Sequence, residues 1–112
     1  MGGMGQAKAK AVSRRLSEKE KKQARADVIW RDRGLCIYCG RWAGAVHHII
    51  PRSRGLPEDK LWAPKNMACI CVECHEKAHN YKWRQRALEI MARRYHYDYS
   101  EEPWASYLKE EP

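Results

Sequence analysis

The stretch CIYCGRWAGAVHHIIPRSRGLPEDKLWAPKNMACICVECHEKAH, residues 36–79, decides how the rest of the chain is read. In it Cys36, Cys39, Cys71 and Cys74 frame four of the five histidines, His47, His48, His75 and His79. Two C-x-x-C pairs separated by 31 residues bring four thiolates together only if the chain between them folds back, and zinc held by four thiolates is the natural reading. Gly40 stands where the backbone of such a knuckle must reverse. A lone C-x-x-C is also a redox motif, whereas two pairs in a small basic chain rarely are. Cys69 is left over; it could replace Cys71 as a ligand, but the spacing favours Cys71, and a buried free thiol is the ordinary fate of a fifth cysteine.

The fold-back has its own signals. Trp42 to Ile50 is rich in β-branched and aromatic residues and ends at Pro51, which reads as a strand; Arg52 to Lys65, with Gly55, Pro57 and Pro64, reads as a returning loop; Met67 to Val72 reads as a short second strand. From Cys74 the pattern turns helical, so that His75 and His79, four apart, project from one helix face as two ligands of one ion require. The helix pauses at Asn80 and resumes with Trp83, Ala87, Leu88, Ile90, Met91, Arg94 and Tyr95 at helical spacing, a packing stripe, with His96 as a surface residue beyond it. Upstream, Ser17 and Glu20 form a capping box, and the absence of Gly and Pro as far as Arg33 predicts a helix from Ser17 to Gly34 with Ala24, Val28 and Ile29 on its inner face. Met1 to Gln6, with three glycines and no pattern, reads as disordered.

His47 and His48 are adjacent on a strand, so their rings point to opposite sides and do not both ligate one ion. If His47 joins His75 and His79 on a divalent metal, His48 is free to take a proton from water beside that ion. That is the general-base arrangement for phosphodiester hydrolysis, and imidazole suits it because its ordinary pKa lies near neutrality.

Composition bounds the rest. At 112 residues with a mean hydropathy of -0.83, the chain holds one small core that needs a staple. No apolar run exceeds the six residues from Met67 to Val72, so no signal peptide or membrane span is expected, and Gln6 stands where a myristoylation site has Ser or Thr. A reducing cytoplasm follows, where paired cysteines mean metal rather than disulfides. The net charge is +8 and unevenly placed. Residues 1–25 hold eight basic side chains against Glu18 and Glu20, for +6; residues 98–112 hold Asp98, Glu101, Glu102, Glu110 and Glu111 against Lys109, for -4. A basic arm carrying Lys8, Lys10, Arg14, Arg15, Lys21 and Lys22, joined by Arg52 and Arg54 in the loop, points to a nucleic-acid partner. The alternative is a solvated face that keeps a small protein soluble.

His47-His48-Ile49-Ile50-Pro51, then Asn66, then Cys71-Val72-Glu73-Cys74-His75, preceded by the Cys36 pair, resembles the HNH endonucleases common in phages and mobile elements. The resemblance covers residues 28–80, between a basic arm and helix start over 1–27 and a C-terminal helix and acidic tail over 81–112. It implies a small α+β fold: a ββα-metal core, also called the His-Me finger, stapled by a four-cysteine zinc and flanked by helices. By the same resemblance His48 is the general base, Asn66 fixes the loop that orients the site, His75 ligates the catalytic metal, and the products carry 5′-phosphate and 3′-hydroxyl ends. Family members commonly have Asp where this chain has His47, and many lack a histidine at the place of His79. The set His47, His75 and His79 is similar to the all-histidine branch that includes nuclease colicins, which opens the metal to nickel, cobalt, manganese or zinc as well as magnesium. The expected setting is the cytoplasm of a bacterial host, with DNA as partner and phage packaging proteins as further partners. A non-catalytic, zinc-stabilised nucleic-acid-binding module is the alternative.

Overall fold

The computed structural model describes residues 15–109. Met1 to Gln6, the arm residues Lys8, Lys10 and Arg14, and the acidic Glu110 and Glu111 lie outside the described residues.

Helix α1 spans Glu18–Asp32 and begins as the capping box requires: Ser17 Oγ accepts from the Glu20 amide at 3.1 Å and Glu20 Oε1 accepts from the Ser17 amide at 2.8 Å. It ends with Arg33 and Gly34 both left-handed, at φ 59° and 70°. Only glycine fits at 34 for a second reason, because a Cβ there would lie 2.8 Å from the Trp42 ring.

The inner face of α1 corrects the sequence reading. Val28 is buried and Ala24 packs on the core, but Ile29 is 46% exposed and Asp32 is buried in its stead. Asp32 accepts from Arg31 through both oxygens (2.8 and 3.0 Å), from the Tyr95 hydroxyl (2.5 Å) and from the Cys69 amide (2.9 Å). Arg31 in turn donates to the carbonyls of Pro64 (2.8 Å) and Met67 (2.7 Å). A buried ion pair with its remaining valences satisfied fixes the rotation of α1, and apolar periodicity carries no trace of it.

Of the stretch 42–50 only β1, Val46–His48, pairs as a strand; it runs antiparallel to β2, Met67–Cys69, with His47 opposite Ala68 and His48 opposite Met67. Trp42 instead bridges back to Leu35 and closes the knuckle, while Ile49 and Ile50 leave the ladder to enter the core. The returning loop carries two 3-10 turns, Arg52–Arg54 and Pro64–Asn66, around a single helical turn, α2, Glu58–Leu61.

Helix α3, Val72–Lys77, is capped by a ligand candidate, with Cys71 Sγ accepting from the Cys74 amide at 3.5 Å. It ends at Ala78, so His79 lies in the turn before α4 and not on the helix with His75, contrary to the expected helix face. Asn80 caps α4, Tyr81–Tyr95, through its side chain to the Lys82 amide, and α4 buries Ala87, Leu88 and Met91. His96 is exposed and forms the left-handed end of α4.

The expected acidic tail is instead docked structure over its described length. Helix α5, Trp104–Lys109, buries Trp104 and Tyr107, the latter stacked on Tyr81 at 4.7 Å. Lys65 bonds Glu101 and the Asp98 carbonyl, each at 3.0 Å, and Lys60 bonds the Glu102 carbonyl at 3.0 Å. Part of the negative charge therefore meets lysines of the loop. Among the described residues no helix is long and apolar enough to cross a membrane.

Candidate active site

The four thiols of Cys36, Cys39, Cys71 and Cys74 lie within 4.8 Å of one another, three of them buried, and none is in a disulfide. Cys39 and Cys71 sulfurs are 3.6 Å apart, close to the roughly 3.8 Å edge of a tetrahedron with zinc-sulfur bonds of about 2.3 Å. Burial raises the Cys36 thiol, yet the amides of Cys71, Cys39 and Tyr38 outweigh it and bring it down to about 7. Burial and the neighbouring thiols push Cys74 up to about 12. Four thiolates ionise together only around a cation, and this set can hold a metal such as zinc. Cys69 is fully buried, and burial followed by the Asp32 charge pushes its thiol up to about 11, as befits a packing residue.

The strand pair and the start of α3 then bring the histidines together. A cavity of about 200 Å³ is lined by His47, His48, His75 and His79, with Tyr38, Arg52 and Arg84 also on its wall. His47 lies face to face with His75, ring centroids 4.0 Å apart, and His79 stands edge-on to His75 at 5.0 Å. The three rings adjoin through His75, which faces both of the others. The donor chemistry of three neighbouring imidazoles fits a transition metal.

His48 diverges from His47, as adjacent strand residues must. Its ring meets the edge of Trp62 at 4.7 Å, and its Nδ1 lies 2.8 Å from the Leu61 carbonyl. A carbonyl only accepts, so Nδ1 carries the hydrogen and Nε2 keeps the lone pair. Burial lowers the His48 pKa below its ordinary value; the Leu61 bond opposes this, and the charges of Arg52 and Arg25 add to the lowering. His47 is lowered too, by burial and then by His75, His48 and His79.

Asn66 is completely buried and fully bonded. Its Oδ1 accepts from the Ile50 amide (3.0 Å) and from Trp104 Nε1 (3.1 Å); its Nδ2 donates to the carbonyls of Ile50 and Leu61, each at 3.1 Å. Its own carbonyl accepts from the Ile49 amide at 2.7 Å. The Leu61 carbonyl is thus shared by Asn66 and His48.

A family model described as HNH endonuclease matches residues 36–81. Over those residues the chain is similar to HNH endonucleases. No curated protein and no solved structure matches the chain significantly. The HNH match spans both cysteine pairs, all four cavity histidines and Asn66, and α1, α5 and most of α4 lie outside it. It connects the chain with nucleases and nucleic-acid chemistry.

The proposed DNA contacts divide. Arg52 borders the cavity but also meets Glu58 at 3.5 Å. Lys21 is largely covered and shares Glu58, at 3.5 Å, with Arg52. Arg15 and Lys22 are exposed, and exposed Arg54 lies over the Tyr107 ring at 5.4 Å. Arg84 stands on the cavity wall, and sequence reasoning missed the place of Arg25, which sits over Trp62 at 5.1 Å. It also missed Leu61, which acts through its carbonyl and so leaves no side-chain signal.

Proposed function

We propose that the chain is a metal-dependent DNA endonuclease, with zinc at the four-cysteine site and a second divalent ion at His47, His75 and His79. The observation that carries this reading is the state of His48, whose Nδ1 is committed to the Leu61 carbonyl while its ring borders the cavity of the other three histidines. A neutral imidazole with one nitrogen pinned and the other open is a proton acceptor fixed in orientation.

His48 Nε2 takes a proton from water as the water oxygen attacks phosphorus. The bond from phosphorus to the 3′ oxygen breaks, and that oxygen takes up a proton from solvent, leaving 5′-phosphate and 3′-hydroxyl ends. Arg52 and Arg84 on the cavity wall supply positive charge for the phosphodiester. A divalent ion bound by the three histidines would stabilise the charge that builds on the phosphate and leaving oxygens. Net charge +8 supports a polyanionic substrate.

The test is plasmid cleavage by the full chain after removal of loosely bound metal, over a panel of divalent ions, with the ends of the products mapped. Nickel, cobalt or manganese is expected to restore cleavage at lower concentration than magnesium, because magnesium gains little from nitrogen donors. Cleavage with 3′-phosphate ends, or half-activation by magnesium and nickel at equal concentration, would contradict the mechanism or the three-histidine set.

A further inference from the structure

We infer that Trp104, from the C-terminal helix, is a positioning residue that sets the orientation of His48 through Asn66. The inference rests on the role proposed for His48 and adds to it a residue outside the span matched by the HNH model.

Trp104 is 1% exposed, and its indole N–H is bonded to Asn66 Oδ1 at 3.1 Å. An indole N–H can donate but never accept, so it demands the oxygen of the Asn66 amide on its side. The Ile50 amide makes the same demand on the same oxygen. With the oxygen held there, Asn66 Nδ2 is turned towards the carbonyls of Ile50 and Leu61. The Leu61 carbonyl is the group that holds His48 Nδ1. Three hydrogen bonds therefore run from Trp104 through Asn66 and the Leu61 carbonyl to the imidazole that takes the proton.

The segment bearing Trp104 is itself tied to the loop that Asn66 closes. Lys65 lies over the Trp104 ring at 4.5 Å and pairs with Glu101; Lys60 bonds the Glu102 carbonyl; and the Tyr99 hydroxyl donates to the Lys65 carbonyl at 2.7 Å. Residues 60–66, on which both the Leu61 carbonyl and Asn66 reside, are braced from outside the HNH span by residues 99–104. The acidic C-terminal stretch thereby serves the site without reaching it.

The test uses the full chain with Trp104→Phe, which keeps an aromatic ring in the core and removes the donor together with part of the buried ring, a packing loss that the melting temperature reads separately. Zinc content and melting temperature are measured, together with kcat and KM on a duplex and the 15N shifts of the His48 ring and Asn66 side-chain amide. The expected result is a loss of kcat on the order of tenfold, as for other groups that orient a reacting side chain, with KM and zinc content unchanged. The His48 nitrogens should move from a single Nδ1–H form towards a mixture of tautomers, and the Asn66 amide signals should shift. An unchanged kcat overturns the inference, and so does a fall in kcat matched by an equal loss of folded protein. If the parent does not cleave, the endonuclease reading fails by itself, and the His48 and Asn66 shifts still decide whether Trp104 sets the ring: identical shifts in parent and variant overturn it.

Discussion

Asn66 shows how one side chain serves both fold and site. All four of its amide valences are used within the protein, two on Ile50, one on Leu61 and one on Trp104. Replacing it with Ala leaves the buried Ile50 amide and Trp104 indole without acceptors, a loss of about 3 kcal/mol or more. Urea titration at unchanged m-value checks this. Asn66→Asp is more discriminating. Its first oxygen keeps both accepted bonds, but its second faces two carbonyls, so the folded state raises the carboxyl pKa above the unfolded value. A raised folded pKa means that stability is fullest below the unfolded value and is lost as pH rises through the folded one. The variant should therefore approach the parent in stability at low pH and fall away near neutrality; a gap independent of pH would show that the carbonyls do not face that oxygen.

At the scale of elements, what was legible in the sequence is what local chemistry dictates. Ser17, Glu20 and Gly34 bound α1 as written, and the two C-x-x-C pairs meet as their spacing required. What was not legible depends on partners distant in the chain. Ile29 lies outside because Asp32 is claimed by Cys69 and Tyr95, and the strand shortens to three residues because Ile49 and Ile50 are taken by the core. Trp104 was hidden among acidic neighbours whose partners, Lys60 and Lys65, lie some forty residues earlier. The knuckle at Cys36 and Cys39 and the start of α3 at Cys71 and Cys74 meet at their shared cysteine site, with the Ile37 amide on the Cys69 carbonyl (3.0 Å) and the exposed Arg41–Glu73 pair (3.8 Å) beside it. Cys36→Ser or Cys74→Ser should release one tightly held zinc per chain and unfold much of residues 36–81, because such sites contribute folding free energy directly. Elemental analysis and far-UV circular dichroism read this out; a parent free of zinc, or one that melts identically with and without strong chelator, would contradict the staple.

On the whole-molecule scale the question is how a polyanion is held. The Leu16 amide donates to Glu58 at 3.0 Å, so the chain is anchored from Leu16 onward, and a truncation that respects the fold removes residues 1–14. Lys8, Lys10 and Arg14 go with it. If these contact phosphates, the slope of log affinity against log salt should flatten by at most about 2.7, with equal loss on all duplex sequences and turnover at saturating DNA preserved. A salt titration on a duplex checks it. An unchanged slope would move the binding surface to Arg25, Arg52, Arg54 and Arg84.

The central claim, that His48 takes the proton from water, is tested most directly by the single-turnover rate of His48→Ala on saturating duplex DNA with the best metal. The Leu61 carbonyl keeps its Asn66 bond in that variant, so the loop stays closed. The rate should fall by roughly 10² to 10⁴, the usual worth of a positioned base, with zinc content and DNA affinity retained and only a small change in melting temperature. A variant that holds zinc, binds DNA and cleaves as fast as the parent would contradict the account.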